Sequence, residues 1–217
     1  MNNALVSWSG GKDSCFAAMK AKEQGFNLKL LLNVLNEEGE ISRSHGIPIS
    51  ILQAQAKAAN LTLHTFSSSW NEYEEKFIHA LKHCKKSHGI THAIFGDIDL
   101  DEHKAWEEKV CSIAGLKAIF PLWKEDRKSL VLQMFDSGIE ALIVSCNEKM
   151  GSAFLGKTLN RNVIEELEVI GIDPCGEGGE FHTLVVNCPL FTRRFDISIQ
   201  QTQLVNQYWF CQFTLGN

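Results

Sequence analysis

Missing from the chain is any run approaching the about 18 consecutive apolar residues of a membrane-spanning helix. The polar start Met1-Asn2-Asn3 lacks the charged and apolar blocks of a secretory signal. A cytoplasmic protein with no membrane contact is therefore expected. No CxxC pair occurs, and the seven cysteines are odd in number and scattered, several inside hydrophobic runs. That excludes a disulfide framework and a Cys-rich zinc site. Basic residues are sparse: the formal net charge is −5, and only the pairs Lys85-Lys86, Arg127-Lys128 and Arg193-Arg194 stand out. Nucleic-acid binding is not expected without a dense cationic surface. Internal repeats and low-complexity segments are also lacking. What remains is 217 residues with 44% hydrophobic and 22% charged side chains, enough for a sizeable core without staples.

Short apolar runs alternate with helix-period segments through the first two-thirds. The runs are Ala4–Trp8, Leu28–Leu35, Leu61–Phe66, His92–Ile98, Lys117–Leu122 and Glu140–Cys146. Between them, Asp13–Gln24, Trp70–His88 and His103–Ala114 carry apolar residues three and four apart and end at Gly25, Gly89 and Gly115, as amphipathic helices with glycine caps do. This alternation predicts an α/β fold, a doubly wound parallel sheet covered on both faces. After about residue 147 the pattern changes to a short helical piece at Val163–Leu167, a glycine and acid loop, and strands at Thr183–Phe191, Phe195–Gln201 and Tyr208–Leu215. The expected organisation is a parallel-sheet domain over residues 1–140 and a smaller α+β lobe over residues 141–217.

Ser9-Gly10-Gly11-Lys12-Asp13-Ser14 follows the first run and opens the first helix. Adjacent glycines let the backbone turn and approach a ligand closely, while a helix start offers unpaired N–H groups and a positive dipole end to an anion. Lys12 adds a full charge, and the Ser9 and Ser14 hydroxyls can donate to phosphate oxygens. The spacing fits neither a Walker A loop nor GxGxxG. A second constellation, Gly176-Glu177-Gly178-Gly179-Glu180-Phe181-His182-Thr183, sets two carboxylates, an imidazole and a hydroxyl among three glycines just before a strand. Read from the residues alone, it could equally be an acid–base or Mg²⁺-contacting site or a flexible acidic turn.

SGGKDS resembles the PP-loop, the SGGxDS motif of ATP pyrophosphatases, which cleave ATP to AMP and pyrophosphate. Taken with GEGGEFHT, it is similar to the diphthine–ammonia ligase family, in which a G-E-x-G-E-F/Y-H-T element matches Gly176, Glu177, Gly179, Glu180, Phe181, His182 and Thr183. Gly115-Leu116 with Pro121-Leu122-Trp123 also looks like the family's GL…PLW. The resemblance implies a Rossmann-like sheet of the HUP class and an ATP-dependent, two-step amide ligation. A carboxylate attacks the α-phosphate to give an acyl-adenylate and pyrophosphate, and ammonia then displaces AMP. In the family the carboxylate belongs to diphthine on translation elongation factor 2.

On that footing Ser9, Gly10, Gly11, Lys12, Asp13 and Ser14 bind ATP, and Asp13 and Asp97 hold Mg²⁺. Lys12, Asp13, Asp97, Glu177 and Glu180 are catalytic candidates. Gly176, Glu177, Gly179, Glu180, His182, Thr183 and His103 take the acceptor, between the phosphate loop and residues 176–183. One segment departs from the family: where the diphthamide-forming branch has G-A-I-x-S-x-Y-Q, this chain reads Gly96-Asp97-Ile98-Asp99-Leu100-Asp101-Glu102-His103. The acceptor is thus either protein-borne diphthine or a different, small-molecule carboxylate. Asp97 falls at the carboxyl end of a predicted strand, where such sheets form sites, although Asp99 and Glu102 also have capping-box spacing. Other readings are a tRNA-thiolating enzyme using Cys15 and Cys175, for which paired catalytic cysteines and a basic surface are missing, and a non-catalytic ATP-binding module. His79 and His83, four apart, are read as a solvated face rather than a metal pair. A homodimer is compatible with the sequence.

Overall fold

A computed structural model describes residues 2–216. The chain forms two compact units that change over after Lys124, ahead of the residue-140 boundary read from the sequence. Gly10–Lys12 groups with the second unit, and the rest of the first 124 residues forms the first.

The first unit holds strands β1 (Asn3–Ser7), β2 (Asn27–Leu35), β3 (Thr62–Ser67), β4 (His92–Ile94) and β5 (Lys117–Ile119), ordered β3-β2-β1-β4-β5. Every pairing is parallel. The connections are helices α1 (Lys12–Glu23), α2 (Ile49–Ala58), α3 (Tyr73–His88) and α4 (Asp101–Ala114). Burial explains the reading of the strands: Leu30–Leu35 is buried without interruption, as a central strand covered on both faces must be. Its one polar member, Asn33, donates from Nδ2 to the Trp8 carbonyl at 2.7 Å. Gly89 and Gly115 end α3 and α4 with φ of 62° and 70°, a region glycine enters without a Cβ penalty. β1 and β4 are neighbours, with the chain winding outward from them in opposite directions. The loops after these two strands therefore open at the topological switch point, where open α/β sheets place ligands.

The second unit contains α5 (Arg127–Asp136), β6 (Glu140–Asn147), a 3₁₀ turn at Ser152–Phe154, α6 (Arg161–Val169), β7 (Phe181–Asn187), β8 (Ile197–Val205) and β9 (Tyr208–Leu215). Its sheet has order β7-β6-β9-β8 and is antiparallel throughout. Side-chain caps start both helices: Asp126 accepts from the Ser129 N–H, and Asn160 from the Val163 N–H.

Several expectations change. The Glu140–Cys146 run is not a sixth parallel strand but lies inside the antiparallel sheet, between β7 and β9. The His92–Ile98 run leaves the sheet after Ile94, because the chain there turns onto the start of α1. Helix α3 begins at Tyr73 rather than Trp70; the exposed Trp70 indole instead stacks on the Arg43 guanidinium 5.0 Å away. Ile113 is half exposed, and the buried face of α4 runs through Glu107, Val110, Cys111 and Ala114. Leu100, not Asp99, is the N-cap of α4, with no side-chain cap bond.

Candidate active site

Within the first unit the site is built on α1. Its first turns are almost wholly buried, Cys15 through Ala18 included, so the helix start is fixed. Behind it, the buried Gln55 accepts from the Trp8 indole at 2.9 Å and anchors the end of β1. Ser9 and Ser14 then face each other with their hydroxyls 3.1 Å apart. Gly96 shows why a glycine follows β4: a Cβ there would stand 2.8 Å from the Asp13 carbonyl carbon and the Ser14 nitrogen. That approach brings Asp97, the next residue, beside the first turn of α1. Asp97 Oδ1 lies 3.0 Å from His103 Nδ1, while the His103 ring is mostly exposed. Tyr73 is near this pair, its hydroxyl pushed up to about 12 by burial and by the charges of Glu107 and Asp97, against the opposing Arg43.

Within the second unit the two sequence motifs meet. The Gly10 carbonyl accepts from the Val185 N–H at 2.9 Å, and the Lys12 N–H donates to Thr183 Oγ1 at 3.0 Å. The Lys12 ammonium is buried, donates to the Cys175 carbonyl and lies 5.4 Å from the centre of the Phe181 ring. The loop that opens the second constellation is tied down by hydrogen bonds on both sides. Asp173 accepts from the N–H groups of Cys175 and Glu177, both at 3.0 Å, and pairs with Arg127 at 2.6 Å. Tyr208 donates to the Gly179 carbonyl at 3.1 Å. Gly176, at φ 67°, has the Phe181 ring where a Cβ would sit. Glu177 is partly exposed. Glu180 folds its carboxylate against Gly178, and its Oε2 is buried with no hydrogen-bond partner among the described residues.

His182 is held well below the ordinary imidazole value, at about 4, first by burial and then by the charge of Lys12. It is therefore neutral near pH 7. Unfolding exposes an imidazole that titrates near 6.5, so between pH 6.5 and 4 the unfolded chain binds the extra proton. Stability contributed by this group is full above pH 6.5 and is lost as the pH falls toward 4. Urea midpoints across that range should decline in the wild-type chain and flatten in His182→Asn. Equal slopes for the two proteins would refute the assignment.

The sequence did not single out Cys175 as a carbonyl ligand of Lys12, nor Asp173, Arg127, Arg43 and Tyr73. Only Asp173 carried a local signal, an acidic residue three positions before Gly176 at the start of a glycine turn. The seven cysteines are free and buried, Cys15 at 0% and Cys175 at 1% exposure, which removes the thiol access that sulfur transfer needs. His79 and His83 are exposed, and His83 stacks on His64. Among the described residues no three His, Cys, Asp or Glu side chains gather as a metal site, and no helix is long and apolar enough to cross a membrane.

A parallel sheet ordered 3-2-1-4-5, with a glycine loop opening its first helix and an antiparallel lobe following, defines a Rossmann-like α/β protein. The chain belongs to the diphthamide synthase family: residues 2–118 match the diphthamide synthase N-terminal domain and residues 126–215 the C-terminal domain. It is 26% identical to the diphthine–ammonia ligase of Danio rerio, over 89% of this chain and 86% of that protein. The human diphthine–ammonia ligase is 28% identical, over 88% of this chain and 80% of that one. Among solved structures, a predicted subunit of tRNA methyltransferase from Methanocaldococcus jannaschii aligns with a TM-score of 0.45 and 16% identity, covering 86% of this chain and 98% of that one.

Proposed function

We propose that the protein is an ATP-dependent carbon–nitrogen ligase. A carboxylate oxygen of the acceptor attacks the α-phosphorus of ATP, the bond to the β-phosphate breaks, and pyrophosphate leaves. Ammonia then attacks the acyl carbon of the adenylate, AMP departs with the former carboxylate oxygen, and a proton is lost from nitrogen. The observation that carries this reading is the bracing of Lys12 by Thr183, Phe181 and the Cys175 carbonyl, which joins the glycine loop to the second motif.

Each residue has a role that its surroundings favour. Ser9, Gly10, Gly11 and Ser14 supply amides and hydroxyls to the phosphates, and Lys12 neutralises charge that grows on the leaving pyrophosphate. A neutral His182 adds no second cation beside Lys12. Glu177 and Glu180 orient the incoming nitrogen and take its proton. Mg²⁺ is usually held by one or two carboxylates, with phosphate oxygens and water completing the shell. Asp13 and Asp97 are oxygen donors brought near each other by the Gly96 approach, and they fit that role. The ion would supply charge neutralisation on the triphosphate.

For the acceptor, one observation favours a carboxylate other than diphthine. The Asp97–His103 pair and its acidic neighbours occupy the segment where the diphthamide-forming branch carries small residues and a tyrosine. The test is product analysis with Mg-ATP, ammonium and either modified elongation factor 2 or a panel of small carboxylic acids. AMP and pyrophosphate should form in step with one acceptor. ADP and phosphate in their place would overturn the ligase reading, and turnover with elongation factor 2 alone would overturn the small-molecule one.

A further inference from the structure

From Ile197 to Asn217 the chain carries no charged side chain and no proline, although 22% of the whole sequence is charged. This neutral stretch supplies the ribbon of β8 and β9. β9 bonds to β6 only through Tyr208–Phe210, whereas β8 pairs with β9 along its whole length. β8 is the edge of its sheet. Every residue from Ser198 to Val205 is exposed, with Ile199, Leu204 and Val205 each more than 40% accessible. Among the described residues no backbone hydrogen bond joins the outward edge of β8 to another segment. Soluble proteins shield such edges with lysine, proline, an inward charge or a covering element. The irregularity between Ile199 and Gln201 bends the ribbon but leaves the edge uncharged.

We propose that the outward edge of β8 pairs antiparallel with the same strand of a second copy of this chain. A two-fold axis at Gln201 would set Ile197 of one strand opposite Val205 of the other and Gln201 opposite Gln201, with Leu204 opposite Ser198 and Ile199 opposite Gln203, so that the uncharged polar centre and the apolar ends of the two strands coincide. The strand is thus self-complementary in this direction. Charge favours the same occupant: with a net charge of −5 two copies repel over most of their surface, and the neutral ribbon is where that repulsion is least. The contact is isologous and consumes both edges, so the assembly closes at two. This inference is independent of the ligase reading.

Sedimentation velocity of the full chain at micromolar concentrations should give twice the monomer mass, falling to the monomer on dilution. The double variant Gln201→Lys/Gln203→Lys, at two exposed positions, should weaken association at least tenfold while leaving the circular dichroism spectrum unchanged. Hydrogen exchange supplies a readout that survives if the variant fails to fold: in the wild type, β8 amides should be protected at high concentration and lose protection on dilution. A wild-type monomer at all concentrations, a dimer whose β8 amides exchange equally fast at high and low concentration, a well-folded double variant that dimerises as tightly as wild type, or a mass that climbs without limit would each overturn the proposal.

Discussion

Lys12→Met should cut ATP-dependent pyrophosphate release by at least about 10²-fold, the scale seen when one preorganised donor to developing charge is removed, while the chain stays folded. The lysine is only 3% exposed. Taking an ammonium out of water is costly, the Cys175 carbonyl and the Phe181 ring are among the groups that surround it, and an arriving anion offsets that cost further. Methionine has similar length, needs no desolvation and makes favourable sulfur contacts with an aromatic ring, so it can occupy the space beside Phe181. Stability should therefore be retained or should rise, as activity falls. Arginine keeps the charge but brings a wider, planar head in beside the Phe181 ring and the Cys175 carbonyl, and Lys12→Arg should not restore turnover. The measurements are AMP formation, calorimetric ATP titration and thermal unfolding of each variant. If Lys12→Met turned over normally, the glycine loop would not be the phosphate site.

The periodicity that revealed α1, α3 and α4 failed at α2 for a physical reason. The buried face of α2 is Ile51, Leu52, Gln55, Ala56 and Ala58, and its central member is a polar residue held by the Trp8 indole. A glutamine that is fully buried because it is hydrogen-bonded looks like a solvent position in the sequence. β6 was misplaced because an apolar run is the same whether its neighbours run parallel or antiparallel, and only pairing decides. Site residues were legible where the chemistry needs a particular type at a fixed spacing, as in Ser9 to Ser14 and Gly176 to Thr183. The groups that position them were not: the Cys175 carbonyl is a backbone atom any residue supplies, and Asp173 and Arg127 are 46 positions apart. For residues 176–183 the sequence left open a flexible acidic turn or a site, and the bonds from Asp173 to the Glu177 N–H and from Tyr208 to the Gly179 carbonyl tie that loop down.

Glu180 presents the opposite balance to Lys12, a carboxylate oxygen buried without a hydrogen-bond partner among the described residues, in an otherwise well-bonded loop. Leaving a buried polar atom unsatisfied costs about 1–3 kcal/mol, and more when it is charged. A protein that keeps such a group in place is holding it for a ligand or a proton, so removing the charge should separate stability from function. Glu180→Gln keeps the shape and the packing against Gly178 while deleting the charge. We expect it to unfold at the same or a higher temperature than wild type and to bind ATP with unchanged affinity. Acceptor-dependent AMP formation should fall by about 10²-fold or more, in the range of a positioned acid or base. The Glu177→Gln variant, at a partly exposed position, should leave stability unchanged and serves as the matched control for unfolding temperature alone, since Glu177 shares the proposed role in turnover. Loss of ATP affinity in Glu180→Gln would instead place this carboxylate at the nucleotide. A drop in unfolding temperature would show that Glu180 is held in place by interactions that stabilise the fold.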